Sequence, residues 1–194
     1  MNKPILIKDA LSINEFNGLW NELNPKSNPW NLSNRSTMSN DDNAVSWLIS
    51  QYCHLPFYRA ASTIRMKLER KVQKPLTLVK IHTNGQTSNQ VSKFHVDYDT
   101  KDTFFTSIFF AKPDWNTQWG GNFTCYDGSD YHIFPYIPNQ AVVIPSEWDH
   151  YGESPSAYTH EMRITVAFMY CLSERLSDMK NKYPLKVIHH LKAS

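Results

Sequence analysis

The sequence predicts a mainly β chain with N-terminal helices, an α+β arrangement in which a jelly-roll core carries helices packed on the outer face of one sheet. Three observations lead there. Before residue 75, capped segments repeat apolar residues at helical spacing. After Lys74 the texture changes to short β-branched and aromatic runs. Clusters of Gly, Pro, Asn and Asp separate those runs at intervals suited to a sandwich or jelly roll. With 194 residues the chain can bury one substantial core. We read a single domain over 1–194: a helical support region at 1–75, a jelly-roll core at 76–171 and a C-terminal extension at 172–194.

Each element has a local cause. Pro4 to Lys8 reads as a short strand. Ser12 and Glu15 form a capping box that starts a helix running to about Leu23. Residues 24–40, rich in Asn, Ser and Pro, show no period and read as a long surface connection. Asp41 or Asp42 would cap a second helix with Val45, Leu48, Ile49 and Tyr52 on one face, broken by Pro56. A third helical pattern runs from Phe57 to Lys74 through Ala60, Ile64, Leu68 and Val72. Leu76 to His82 is a strand, and Asn84-Gly85 is expected to turn the chain. Short strands follow at Phe94–Asp97, Phe104–Phe110, Asn122–Tyr126, Tyr131–Phe134, Ala141–Ile144 and Met162–Tyr170. Ser173 to Lys182 reads as a closing helix, and Lys186 to Ser194 is weakly specified.

Composition excludes several classes. A formal charge of +2 is near balance, so neither nucleic acid nor an anionic membrane is implied as an obligatory partner. The basic run from Arg65 to Lys71 reads as the solvated face of a helix. Cys53, Cys125 and Cys171 are odd in number and far apart, without a C-x-x-C pair, which argues against a disulfide framework or a thiolate zinc site. No apolar run suits a signal peptide, and none approaches the ~20 residues needed to span a bilayer. The expectation is a soluble protein of a reducing compartment, the cytoplasm.

The chemistry concentrates in four residues. His95 and Asp97 alternate around Val96, so on a strand both point to one face. His150 follows the buried-looking run Ala141–Pro145 and should sit at the mouth of the same sheet. Two imidazoles and one carboxylate occupy one face of an octahedral metal and leave the other open, the arrangement of non-haem Fe(II) oxygenases. Arg163 begins a strand that places Arg163, Thr165 and Ala167 on one face. Met162, Ile164, Val166 and Phe168 share the other, which should meet the helices. A charge on an inward face needs an anionic partner. That partner is either a carboxylate cosubstrate or a nearby Glu153 or Glu161, in which case the histidines are ordinary core or surface residues.

The pieces Phe94-His-Val-Asp97, Ile108-Phe-Phe110, Gly120-Gly-Asn-Phe-Thr-Cys-Tyr126, Val142-Val-Ile-Pro145 with His150, and Arg163-Ile-Thr-Val-Ala-Phe168 resemble a known pattern. The stretch Leu76 to Tyr170 is similar to the double-stranded β-helix core of the 2-oxoglutarate/Fe(II)-dependent dioxygenase superfamily, nearest its prolyl 4-hydroxylase-like branch. The resemblance implies that His95, Asp97 and His150 bind Fe(II) and that Arg163 anchors the distal carboxylate of the cosubstrate 2-oxoglutarate, with O₂ as co-reactant. Thr165 would add a hydroxyl, and His82 falls where related enzymes often place a tyrosine near the cosubstrate.

The implied reaction is hydroxylation of a C–H bond, in a prolyl residue of a peptide or protein or in a free amino acid. Retention of Asp97 favours hydroxylation over halogenation. The alternatives are another small metabolite, nucleic acid (disfavoured by the charge), or a non-catalytic jelly-roll binding module. The chain departs from the pattern in two places. The interval from His150 to Arg163 is longer, implying a turn at Ser154–Ala157 and leaving His160 nearer the usual arginine position. Phe110 stands where some relatives carry a tyrosine. His82–Val91 reads as a flexible lid, Trp115 and Trp119 as either substrate-stacking or edge-packing residues, and Tyr98 and Trp148 as pocket walls.

Overall fold

The computed structural model describes residue 1 and residues 3–33, 46–48, 54–90, 92–101 and 103–177. Helix α1 (Ile13–Leu23) starts at the expected capping box. Ser12 Oγ accepts from Glu15 N–H at 3.3 Å, and Glu15 Oε2 accepts from Ser12 N–H at 3.0 Å. Its stripe of Phe16, Leu19 and Leu23 is buried. Helix α2 (Leu55–Val72) buries Phe57, Ala60, Ala61, Ile64 and Leu68, the face the sequence predicts. Pro56 lies in its first turn, where a missing N–H costs nothing, so this proline begins α2.

Among the described residues, ten strands form two antiparallel sheets: β1 (Ile5–Ile7), β2 (Asn31–Ser33), β3 (Ser46–Leu48), β4 (Leu76–Gln86), β5 (Phe104–Phe110), β6 (Phe123–Tyr126), β7 (Tyr131–Phe134), β8 (Ala141–Pro145), β9 (His150–Gly152) and β10 (Arg163–Leu172). The larger sheet has the order β1-β8-β5-β10-β4-β3-β2, and the smaller β7-β6-β9. Alternation along β10 divides the interior. Ile164, Val166, Phe168 and Tyr170 join α1 and α2 in one core, with Phe105, Phe109 and Val143. Ala167, Met169 and Cys171 face the smaller sheet, packing with Phe123 and Cys125. Because both faces are covered, every residue of β10 is buried.

Local signals mislead in three places. The expected turn at Asn84-Gly85 is absent, because β4 runs on to Gln86. Gly85 serves close packing there: a Cβ would lie 2.7 Å from Met162 Sδ and 3.0 Å from the Trp30 ring. Among the described residues of the expected lid, 82–86 are strand and the turn at 87–90 is irregular chain. Ser46–Leu48, expected inside a helix from residue 41 to 52, is instead β3, pairing with β2 and meeting β4 at Trp47↔Gly85. The flanks of that expected helix lie outside the described residues, and β2 occupies part of the expected connection. Phe94–Asp97 forms a single bridge, His95↔His150, in place of a strand. At the C-terminal end, a 3-10 turn at Ser173–Arg175 leads into helical residues 176–177, and the remainder of the expected closing helix lies outside the described residues.

Candidate metal centre

One backbone bridge brings the two histidines together. His95 N–H donates to His150 O at 3.1 Å and His150 N–H to His95 O at 3.0 Å. Residues directly opposite in an antiparallel pair project to the same side, and the two imidazole centroids lie 4.5 Å apart. Asp97 is fixed by its N–H to Ser146 O at 3.0 Å and by its carboxylate, which accepts from Thr106 Oγ1 at 2.6 Å. One ligand atom from each of His95, Asp97 and His150 lies within 4.8 Å of the others.

Protonation states suit a cation. His95 Nδ1 lies 3.0 Å from Lys93 O, and His150 Nδ1 lies 2.9 Å from Trp148 O. A carbonyl can only accept, so each Nδ1 carries a proton and Nε2 is the ring nitrogen left to meet a metal. Those Nε2 atoms stand 4.0 Å and 3.5 Å from the Asp97 carboxylate. Burial pushes the His150 pKa down, which keeps that ring neutral. For Asp97, burial raises the pKa, but His150, the Thr106 hydroxyl, His95 and Lys80 outweigh it and hold the carboxyl below its usual range. Two imidazoles and one carboxylate are therefore presented to one point, a donor set fitted to a divalent first-row metal.

Arg163 occupies the same inter-sheet space. On β9, Gly152 shares a face with His150, two residues away. A Cβ at Gly152 would lie 2.9 Å from Arg163 Nη1 and 3.0 Å from Nη2, so only glycine leaves room for the guanidinium. Arg163 is fully buried and donates from Nε to Gly121 O at 2.7 Å and from Nη1 to Gln86 Oε1 at 2.9 Å, with Thr165 Oγ1 at 3.5 Å. Nη2 is buried without a hydrogen-bond partner among the described residues. Desolvation pulls its pKa down to about 10, against the raising influence of Tyr136 and Glu153. The two glutamates considered as its partners are engaged elsewhere. Glu153 Oε2 accepts from Asn122 N–H at 3.1 Å, and Glu161 pairs with Lys112 at 3.0 Å.

Strand register places the remaining candidates. In the β10–β4 ladder Arg163 faces Gln86, Thr165 faces Asn84 and Ala167 faces His82, so all six share the inner face. His82 Nε2 is covered and unpartnered, and burial, followed by the charge of Lys80, drops its pKa to about 4. Phe110 packs on Tyr136 at 4.7 Å; the Tyr136 hydroxyl donates to Ile164 O and accepts from Lys112 N–H. His160 is exposed. The longer interval before Arg163 is pinned by a Gly120↔Pro155 bridge. Trp115 is buried against Tyr136 and donates to Gly120 O at 3.1 Å, so this tryptophan packs inside. Tyr98 is buried and stacks on Phe104 at 4.2 Å.

Sequence reasoning missed Thr106, Gln86, Gly121 and Gly152. A signal existed for Gly152, two residues beyond His150 on a strand, but β9 itself was not anticipated.

No family model and no curated protein matches the sequence. Solved structures do match in fold. A prolyl-4-hydroxylase from Pseudomonas putida aligns with a TM-score of 0.64 at 11% identity, over 89% of this chain and 94% of that one. The prolyl hydroxylase of Trichoplax adhaerens, in complex with a hypoxia inducible factor oxygen degradation domain peptide, gives 0.62 at 15%, over 92% and 87%. HygX from Streptomyces hygroscopicus, with nickel, 2-oxoglutarate and hygromycin B bound, gives 0.62 at 12%, over 88% and 83%. The chain thus has the fold of these 2-oxoglutarate oxygenases. Among the described residues no helix is long and apolar enough to cross a membrane.

Proposed function

We propose that the protein is an Fe(II)- and 2-oxoglutarate-dependent dioxygenase that hydroxylates a C–H bond. On this reading the two sheets are the halves of a double-stranded β-helix within one domain spanning 1–194. The observation that carries it is Arg163: a fully buried guanidinium, with one nitrogen unsatisfied, beside the three convergent donors. An unpaired buried cation costs several kcal/mol and persists only where something offsets it. A dicarboxylate reaching from the metal into the inter-sheet space would do so.

His95, Asp97 and His150 hold the iron, with their Nδ1 contacts and Thr106 fixing orientation. Arg163 binds the distal carboxylate of 2-oxoglutarate through its free Nη2, with the Thr165 hydroxyl at its side. His82 lines the same face and, neutral at physiological pH, contributes Nε2 toward the cosubstrate. When bound, the iron supplies the O₂ chemistry that decarboxylates 2-oxoglutarate to succinate and CO₂ and delivers one oxygen atom to the substrate. The apolar inner core excludes water from that space.

Among the fold neighbours, one is in complex with a peptide and another has hygromycin B bound. For this chain we propose an amino acid, prolyl within a peptide or free in solution. The buried thiols of Cys125 and Cys171, both free, suit the reducing cytoplasm. Succinate release from 2-oxoglutarate tests the assignment: it should require Fe(II) and O₂ and fall by at least ~100-fold in His150→Ala. Metal-independent release, or full activity in that variant, would refute it.

A further inference from the structure

Lys80 stands in the candidate site without a partner. The β10–β4 register jumps between Met169 and Tyr170, which face Lys80 and Leu78 and leave Val79 unmatched. This bulge turns two successive side chains toward one side. Val79 packs in the inner core, and Lys80, opposite the inner-facing Met169, joins it there. Alternation from His82 through Ile81, which faces the helices, gives Lys80 the same inner side.

The same register runs on to the metal site. Met169 faces Thr106 on β5, and Thr106 holds Asp97. Lys80 thus lies two strands from Thr106, about 10 Å between backbones at ordinary sheet spacing. A four-carbon stem and a small anion can fill that gap. Its charge is felt there, lowering the pKa of both Asp97 and His82. Lys80 is half-buried, and its ammonium makes no hydrogen bond or ion pair among the described residues. Arg163 is too remote to share its anion. Six residues of β10 separate it from Met169, about 20 Å along the strand.

We propose that Lys80 receives a carboxylate of the substrate, so that the enzyme acts on a small acid such as a free amino acid, or on a free chain terminus, and not on an uncharged internal segment. The inference rests on the oxygenase reading, and the test separates the two. An anaerobic mixture of wild-type protein, Fe(II) and 2-oxoglutarate is examined first for its visible charge-transfer band; absence of the band defeats the oxygenase reading itself.

With the band present, succinate release is measured with free L-proline and other free L-amino acids, with their amides, and with prolyl peptides ending in a free or amidated C-terminus. The free acids should stimulate turnover at least ~10-fold more than the amides. The peptide pair tells a free amino acid from a chain end. Lys80→Met should keep the band yet raise KM for the stimulating acid ~10-fold or more, Lys80→Arg should restore most of it, and Lys80→Glu should abolish the stimulation. The proposal is overturned if no free-carboxylate probe stimulates the wild type, if amides serve equally, if Lys80→Met leaves KM unchanged, or if it weakens 2-oxoglutarate binding instead.

Discussion

Arg163 decides the account at the scale of single residues. Its burial is unfavourable in the free protein, since Nη2 has no partner and no carboxylate pairs with it among the described residues. Arg163→Met should therefore leave the ligand-free protein as stable or raise its melting temperature, while 2-oxoglutarate affinity drops at least ~100-fold; calorimetry and titration measure the two. The pKa gives a sign. The folded value of about 10 lies below the ordinary guanidinium range, so between the two the unfolded chain binds more protons. The destabilisation is complete below pH about 10 and is relieved as pH rises above it. The stability gap between wild type and Arg163→Met should narrow across that window. Gly152→Ala is the complementary test. Its Cβ would crowd Nη1 at 2.9 Å, so 2-oxoglutarate binding should weaken ~10-fold with metal affinity retained.

At the scale of elements, packing overrides local propensity where the two conflict. Asn84-Gly85 carries strong turn chemistry, yet β4 passes straight through it because Trp30 and Met162 press on the Gly85 backbone. Gly85→Ala, favourable by propensity alone, should destabilise by about 1–3 kcal/mol on chemical denaturation, as overpacking does. Ser12→Ala, which opens the capping box of α1, should cost about 1 kcal/mol. The helices α1 and α2 were legible because their apolar stripes, and the capping box of α1, are local. The triad was legible because alternation and order survive even where Phe94–Asp97 makes only a bridge. Strand β3 was hidden, because its Ser46–Leu48 pairing depends on partners distant in sequence. The cradle of Arg163 was hidden for the same reason: Gln86, Gly121 and Gly152 come from three segments that only the folded sheets bring together.

Across the whole molecule, each face of the large sheet has a separate task. The helices seal one side with Phe16, Leu19, Ile64 and Leu68, which frees the other to carry polar residues. That inner side pairs a row from β4 and β10 with His150 and Gly152 of the small sheet, so the candidate metal donors and the guanidinium lie between the same two sheets. The most direct measurement is the anaerobic visible spectrum of the protein with Fe(II) and 2-oxoglutarate. A weak charge-transfer band should appear in the wild type, vanish in His150→Ala and require far more cosubstrate in Arg163→Met. A spectrum in which no band forms, or one that both substitutions leave unchanged, would contradict the convergence of these four side chains on one iron and one keto-diacid.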